Sequence, residues 1–235
     1  MLLTTLTVVK QWIYDIVSLF FPVYCPVCSM PLTHPGQVIC LPCELNMPRT
    51  RYATDLENPV AQIFWGRVKL EGASALFRFE KGSKYQVLLH LLKYKSRKDI
   101  GIFLGKMIGV EIRGTPFADI DYLVPVPLHP RKQKKRGYNQ SEVIASGISL
   151  ITGIPVHPGI LVRERNTDSQ TRKNRFQRWQ NMEGKFGLKD PSIFENCKVM
   201  LIDDVVTTGA TLEACAATLM QITGIKIYIF TVACA

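Results

Sequence analysis

Residues 199 to 212 read VMLIDDVVTTGATL. Two adjacent carboxylates, Asp203 and Asp204, follow a short apolar run. Thr207, Thr208, Gly209, Ala210 and Thr211 come next, before a segment with helical spacing. The apolar run predicts a buried strand that ends at Ile202, and the helix is expected to begin near Gly209. The loop between them then lies at the carboxyl end of a parallel strand, where open α/β sheets bind ligands. Backbone N–H groups of residues 207–211 at a helix N-terminus favour a phosphate through their orphan donors and the helix dipole. Gly209 lets the backbone come close, and the threonine hydroxyls add donors. Two carboxylates one turn away would repel that phosphate, so they must hold another part of the same ligand. Vicinal ribose hydroxyls suit them, with a hydrated Mg2+ nearby. A sugar diol at one end and a phosphate at the other describe a ribose 5-phosphate.

A second group of residues suits a metal. Cys25 and Cys28 form one C-x2-C pair, Cys40 and Cys43 another, with eleven residues between the pairs. Each pair can turn both sulfurs inward, and two such knuckles close a tetrahedron around Zn2+. Two disulfides, or four inert core cysteines, are the alternatives. Four thiolates would complete a closed, structural site without His34. Pro26, Pro31, Pro35, Gly36 and Pro42 mark turns in this stretch.

Two basic blocks complete the inventory. Arg131, Lys132, Lys134, Lys135 and Arg136 put five cations in six residues, either as a solvated loop or as a pyrophosphate contact beside the phosphate loop. The second block holds Arg163, Arg165, Arg172, Lys173, Arg175 and Arg178 against Glu164 and Asp168.

The surrounding pattern says what positions these groups. VKLEGASALFRFE alternates loosely and predicts an edge hairpin. YQVLLHLLKYK, IGIFLGKMIGVEI, GYNQSEVIASGISLIT and GATLEACAATLMQIT have helical spacing, while DYLVPVP, GILVRE, CKVMLIDD and IKIYIFTVAC predict strands. Strands alternating with helices imply an α/β fold with a parallel sheet flanked by helices on both faces. Residues 1–60 are expected to form an N-terminal helix and the four-cysteine module, and residues 61–235 the α/β domain. Leu6, Val9, Ile13, Ile16, Val17 and Phe20 fall at helical spacing, so the N-terminal segment predicts an amphipathic helix rather than a membrane span. The chain has 235 residues, enough for one good-sized core. Its seven cysteines, an odd number with three far apart, argue against a disulfide framework and for a reducing, cytoplasmic compartment. A formal net charge of +10 favours phosphate-bearing partners.

The apolar run, two acids, two variable positions and T-T-G-x-T resemble the PRPP-binding signature of type I phosphoribosyltransferases. VPVPLHPRKQKKRGYNQSEVIA and RNTDSQTRKNRFQRWQNMEGKF resemble the two hallmark blocks of the ComF family of competence-associated proteins, which includes GntX-like members. The cysteine knuckles after an apolar segment match that family too, so the resemblance covers nearly the whole chain. Lys173 departs from it, standing where the family often has an apolar residue.

The resemblance implies a type I phosphoribosyltransferase-like fold that binds PRPP with Mg2+. Asp203 and Asp204 would be the catalytic pair, and residues 207–211 the 5-phosphate loop. Arg136, Arg165 and Arg178 would face the pyrophosphate, the last two from a loop that folds over PRPP. Lys93 matches a family lysine, although a helix-surface role would also explain it. Gly137, Tyr138, Asn139 and Gln140 match the family's RGYNQ element, and their other reading is to cap and start the next helix. A phosphoribosyl transfer would build positive charge on the sugar and negative charge on pyrophosphate, which a carboxylate pair and a cationic lid suit. No residue set identifies an acceptor. The alternative is a non-catalytic factor of DNA uptake, whose basic blocks contact single-stranded DNA, with Tyr138, Phe176 and Trp179 as candidates for base stacking.

Overall fold

The computed structural model describes residues 21–80, 82–163 and 186–235. Among them the strands are β1 (Gly72–Arg78), β2 (Tyr122–Pro125), β3 (Leu161–Arg163), β4 (Phe186–Leu188), β5 (Lys198–Val206) and β6 (Lys226–Cys234). The helices are α1 (Leu41–Leu45), α2 (Pro59–Gln62), α3 (Gln86–Tyr94), α4 (Lys98–Glu111), α5 (Pro130–Arg136), α6 (Gln140–Thr152) and α7 (Ala210–Leu219). Four strands make an all-parallel sheet in the order β1-β6-β5-β2. Such a sheet must be covered on both faces, and the side chains divide accordingly. Met200, Ile202, Tyr228, Phe230 and Val232 join a layer with buried residues of α3, α4 and α6. Val199, Leu201, Ile227 and Ile229, alternating with them, join a layer with Leu212, Cys215, Ala216 and Leu219 of α7.

Helices α4 and α6 approach closely because glycine faces glycine. A Cβ on Gly105 would stand 2.1 Å from the Ile144 carbonyl oxygen, and one on Gly147 2.4 Å from that of Ile102. Helix α6 then carries its first turn to the carboxyl edge of β5, where the acids are.

Both sheet edges are closed. On β1, the Thr50 N–H donates to the Leu76 carbonyl (3.1 Å) and the Arg78 N–H to that of Pro48 (3.0 Å). Asn58, 1% exposed, donates from Nδ2 to the Ala73 carbonyl (2.7 Å), while its Oδ1 accepts from the N–H groups of Val60 and Ala61 and so caps α2. On β2, the His157 N–H donates to the Leu123 carbonyl (2.8 Å), and the Leu123 N–H to that of Pro155 (2.9 Å). The cysteine module joins the same core as the sheet: Tyr85 of the segment entering α3 is buried and its hydroxyl donates to the Cys43 carbonyl (2.8 Å).

Four expectations change. VKLEGASALFRFE is no hairpin: it holds the single edge strand β1, parallel to β6, with Gly72 through Phe77 buried. Burial of both faces erases the alternation a solvent-facing hairpin would show. Strand β5 does not end at Ile202. It continues to Val206, because Asp203, Val205 and Val206 stay in register with Thr231, Ala233 and Cys234 of β6. The cations of residues 131–136 lie on helix α5, not on a loop, with Pro130 in its first turn and Gly137, at φ 81°, as its C-cap. Strand β3 lies outside the main sheet and pairs antiparallel with β4, which the sequence pattern did not suggest. The N-terminal amphipathic segment and the second basic block beyond Arg163, including Arg165, Arg178, Phe176 and Trp179, lie outside the described residues. No helix among the described residues is long and apolar enough to cross a membrane.

Candidate functional site

Strand β2 ends with Pro125 opposite Ile202, and β5 runs on past it to Val206. Each strand leads into one part of the site: β5 into the threonine loop and α7, and β2 into the basic helix α5. Strand β5 delivers Asp203 and Asp204 half-buried at this edge. The Asp203 Oδ1 accepts from the Asp204 N–H (2.8 Å) and from the Ser141 hydroxyl (3.0 Å), in the first turn of α6. Lys93, in the last turn of α3, places its Nζ 2.9 Å from the Asp204 Oδ2. Burial, then repulsion from Asp204, pushes the Asp203 carboxyl up to about 7, against relief from the Asp204 N–H, Ser141 and Lys93. Two carboxyls this close resist ionising together, and a cation or a pair of hydroxyl donors between them would relieve the repulsion.

The loop beyond the acids is shaped for close approach. Gly209 has φ 74° and is the N-cap of α7, and no side chain caps that helix. Its first-turn N–H groups are therefore left for a ligand. A Cβ at residue 209 would stand 2.8 Å from the Ile63 Cγ2 and 2.9 Å from the Phe64 Cε1. Asp203 and residues 205–212 line a shallow pocket of about 80 Å3. Thr207, Thr208 and Thr211 are exposed at its rim, and Ala210 is half-buried. Arg67 braces the loop from outside: its Nη1 donates to the carbonyls of Thr208 (2.8 Å) and Ile63 (3.1 Å), and its Nη2 pairs with Glu213.

The structure therefore brings together Asp203, Asp204, residues 207–211 and Lys93. Arg136 lies over Tyr94, the residue after Lys93, its guanidinium carbon 5.7 Å from that ring's centroid. Sequence reasoning missed Ser141 and Arg67. Ser141 was visible only as the residue after the RGYNQ element, and Arg67, 141 positions before Thr208, gave no signal. Asn139 caps α6, its Oδ1 accepting from the Ser141 N–H (3.1 Å). Gln140 is 2% exposed, and its Nε2 has no hydrogen-bond partner among the described residues. Tyr138 is 7% exposed and its hydroxyl donates to the Leu92 carbonyl, which takes its ring out of consideration for stacking.

The four cysteines also converge. The sulfurs of Cys25, Cys28, Cys40 and Cys43 lie within 4.8 Å of one another. Four thiolates at about 2.3 Å from a tetrahedral ion would be about 3.8 Å apart, so the cluster could hold a metal such as Zn2+. The 3.4 Å between the sulfurs of Cys28 and Cys40 is no disulfide. Burial opposes ionisation of Cys25, yet the N–H groups of Cys40, Val27 and Cys28 hold its thiol down at about 7. Burial and the neighbouring thiols push Cys43 up. Without a cation among them the four cannot all ionise.

No protein-family model matches the chain. It is 28% identical over 201 residues to DNA utilization protein YhgH of Salmonella typhimurium, spanning 84% of this chain and 78% of that protein. It is 36% identical over 92 residues to Competence protein F of Haemophilus influenzae, 39% of this chain and 40% of that one. Over 99 residues it is 33% identical to Competence protein ComFC of Bacillus subtilis, 42% of this chain and 38% of that one. Among solved structures, a glutamine PRPP amidotransferase from B. subtilis matches 55% of this chain and 25% of its own, with TM-score 0.38 and 23% identity. An adenine phosphoribosyltransferase matches 63% of this chain and 75% of its own, with TM-score 0.38 and 17% identity. The chain is therefore similar over most of its length to DNA-utilization proteins and over shorter stretches to competence proteins, and its parallel sheet carries the acid pair and the threonine loop at its carboxyl edge.

Proposed function

We propose that the protein binds PRPP with Mg2+ at the β5–α7 junction and acts as a phosphoribosyltransferase in the service of DNA utilization. One observation carries the reading: two carboxylates at the end of β5 stand beside an uncapped helix N-terminus with a glycine in the left-handed region. In this reading the loop N–H groups and the hydroxyls of Thr207, Thr208 and Thr211 hold the 5-phosphate. Asp203 and Asp204 accept from the ribose hydroxyls and stabilise positive charge developing on the sugar. Mg2+, when bound, neutralises the pyrophosphate and helps it leave. Lys93 would exchange its contact with Asp204 for the pyrophosphate, with Arg136 and, from the second basic block, Arg165 and Arg178 adding charge there. The four cysteines hold a structural Zn2+. Equilibrium titration with PRPP, with and without Mg2+, tests the binding, with ribose 5-phosphate as the fragment control. Binding of PRPP in the low-micromolar range with Mg2+, and weaker binding of ribose 5-phosphate, is expected. A chain that binds neither would contradict the reading.

A second reading rests on the basic helix. Among the described residues none of Arg131, Lys132, Lys134, Lys135 and Arg136 is in an ion pair. Unneutralised cations on one exposed helix suit a nucleic-acid backbone, and DNA utilization is what the name of the YhgH relatives records. Here the protein contacts single-stranded DNA through α5, and the PRPP site reports nucleotide supply.

A further inference from the structure

The end of α3 and helix α5 form one surface, of which the PRPP reading uses only Lys93 and Arg136. Tyr94, the residue after Lys93, is 67% exposed. The Arg136 guanidinium lies over its ring, and the His90 ring, one helical turn back, stands 5.0 Å away at 46°. The two elements are tied together. Tyr138, just past α5, donates to the Leu92 carbonyl of α3, and the Lys98 Nζ sits 5.1 Å from the Tyr138 ring centroid. The same elements carry the exposed cations Arg131, Lys132, Lys134 and Lys135 on α5, with Lys95 and Lys98 just beyond the end of α3. Asp99 is the nearby acid in sequence, and it is already paired with Arg97.

The Tyr94 ring, held against Arg136 and His90, stays largely open to solvent beside cations that form no ion pair among the described residues. It adds no core burial, and it does not shield the charges from one another. Its chemistry matches a single-stranded nucleic acid, whose phosphates need cations and whose unpaired bases need a π-face. A duplex hides its base faces and would use the cations alone. We propose that Tyr94 is a base-stacking platform, with α5 gripping the phosphates of the same single strand. This rests on the single-stranded-DNA reading of α5 and adds to it the element that distinguishes single strands from duplex.

Labelled oligothymidylate and a duplex of the same length, titrated at several salt concentrations, test it. Tyr94→Ala should weaken oligothymidylate binding about 10-fold or more, the scale of one lost stacked base. Its salt slope and its duplex affinity should match the wild type, and Tyr94→Phe should restore binding. Replacing Arg131, Lys132, Lys134 and Lys135 by serine should instead lower the slope by up to about 3, at roughly 0.7 per phosphate. The ring is exposed, so equal melting temperatures for wild type and Tyr94→Ala would exclude misfolding. If Tyr94→Ala binds oligothymidylate as the wild type does while the serine variant loses the salt slope, the platform is refuted and the DNA-binding role of α5 survives. If no oligonucleotide binds in a salt-dependent way, both are refuted. If duplex binds as tightly as the single strand, the platform is refuted as well.

Discussion

At the scale of single residues, the site is organised around a carboxyl that is uncomfortable when charged. Asp203 ordinarily titrates near 3.8 and is held up at about 7 by burial and by Asp204. Between those values the folded chain keeps a proton that the unfolded chain has released. Stability of the ligand-free protein should therefore fall as pH rises through that window and level off above about 7. Glu111, also pushed up to about 7 by burial, contributes with the same sign. Asp203→Asn should remove its share of the decline and raise the neutral-pH melting temperature by about 2–4 °C, the shift expected per kcal/mol in a domain of this size. Melting curves from pH 4 to 8 check this. A variant no more stable than the wild type at pH 7 would mean that Asp203 carries no penalty. Gly209→Ala should be costly for a different reason. It combines φ 74° with a Cβ driven against Phe64, so a loss of about 2–3 kcal/mol is expected in denaturant unfolding. The acids, the threonines and the glycine were legible because they are contiguous. Arg67 and Ser141 were not, because each reaches the site only after the chain has folded.

At the scale of elements, the helices α3, α4, α6 and α7 followed from periodicity, and the strands β2, β5 and β6 from short apolar runs between turn signals. Strand β1 defeated the same logic, because a strand buried on both faces carries no alternation to read. Helix α5 defeated it too: seven residues with five cations and no apolar stripe look like a loop, yet Pro130 and Gly137 punctuate a helix. At the start of β1 the outer edge is closed by one buried side chain. Asn58 satisfies the Ala73 carbonyl and the first N–H groups of α2 together. Asn58→Ala leaves buried groups from both elements unpaired, and about 2–3 kcal/mol should be lost in urea unfolding. An unchanged midpoint would show that other groups close this edge.

At the scale of the whole molecule, the cysteine module and the sheet share one apolar layer, so metal and fold should be linked. One Zn2+ per chain is expected on metal analysis, and a strong chelator should lower the melting temperature while exposing four reactive thiols, because binding energy in such a cluster is folding energy. A zinc-free folded protein with those thiols freely reactive would contradict that assignment. The proposed PRPP site, residues 203–211, lies at the carboxyl end of β5. Its most direct test is the melting temperature of the wild type and of the Asp203→Asn, Asp204→Asn double variant, each with and without PRPP and Mg2+. At a hundredfold excess over Kd the ligand should stabilise the wild type by about 2.7 kcal/mol, or roughly 5–10 °C here. The double variant should fold and show no such shift. A wild type that PRPP leaves unmoved, or a double variant that it stabilises equally, would contradict the account.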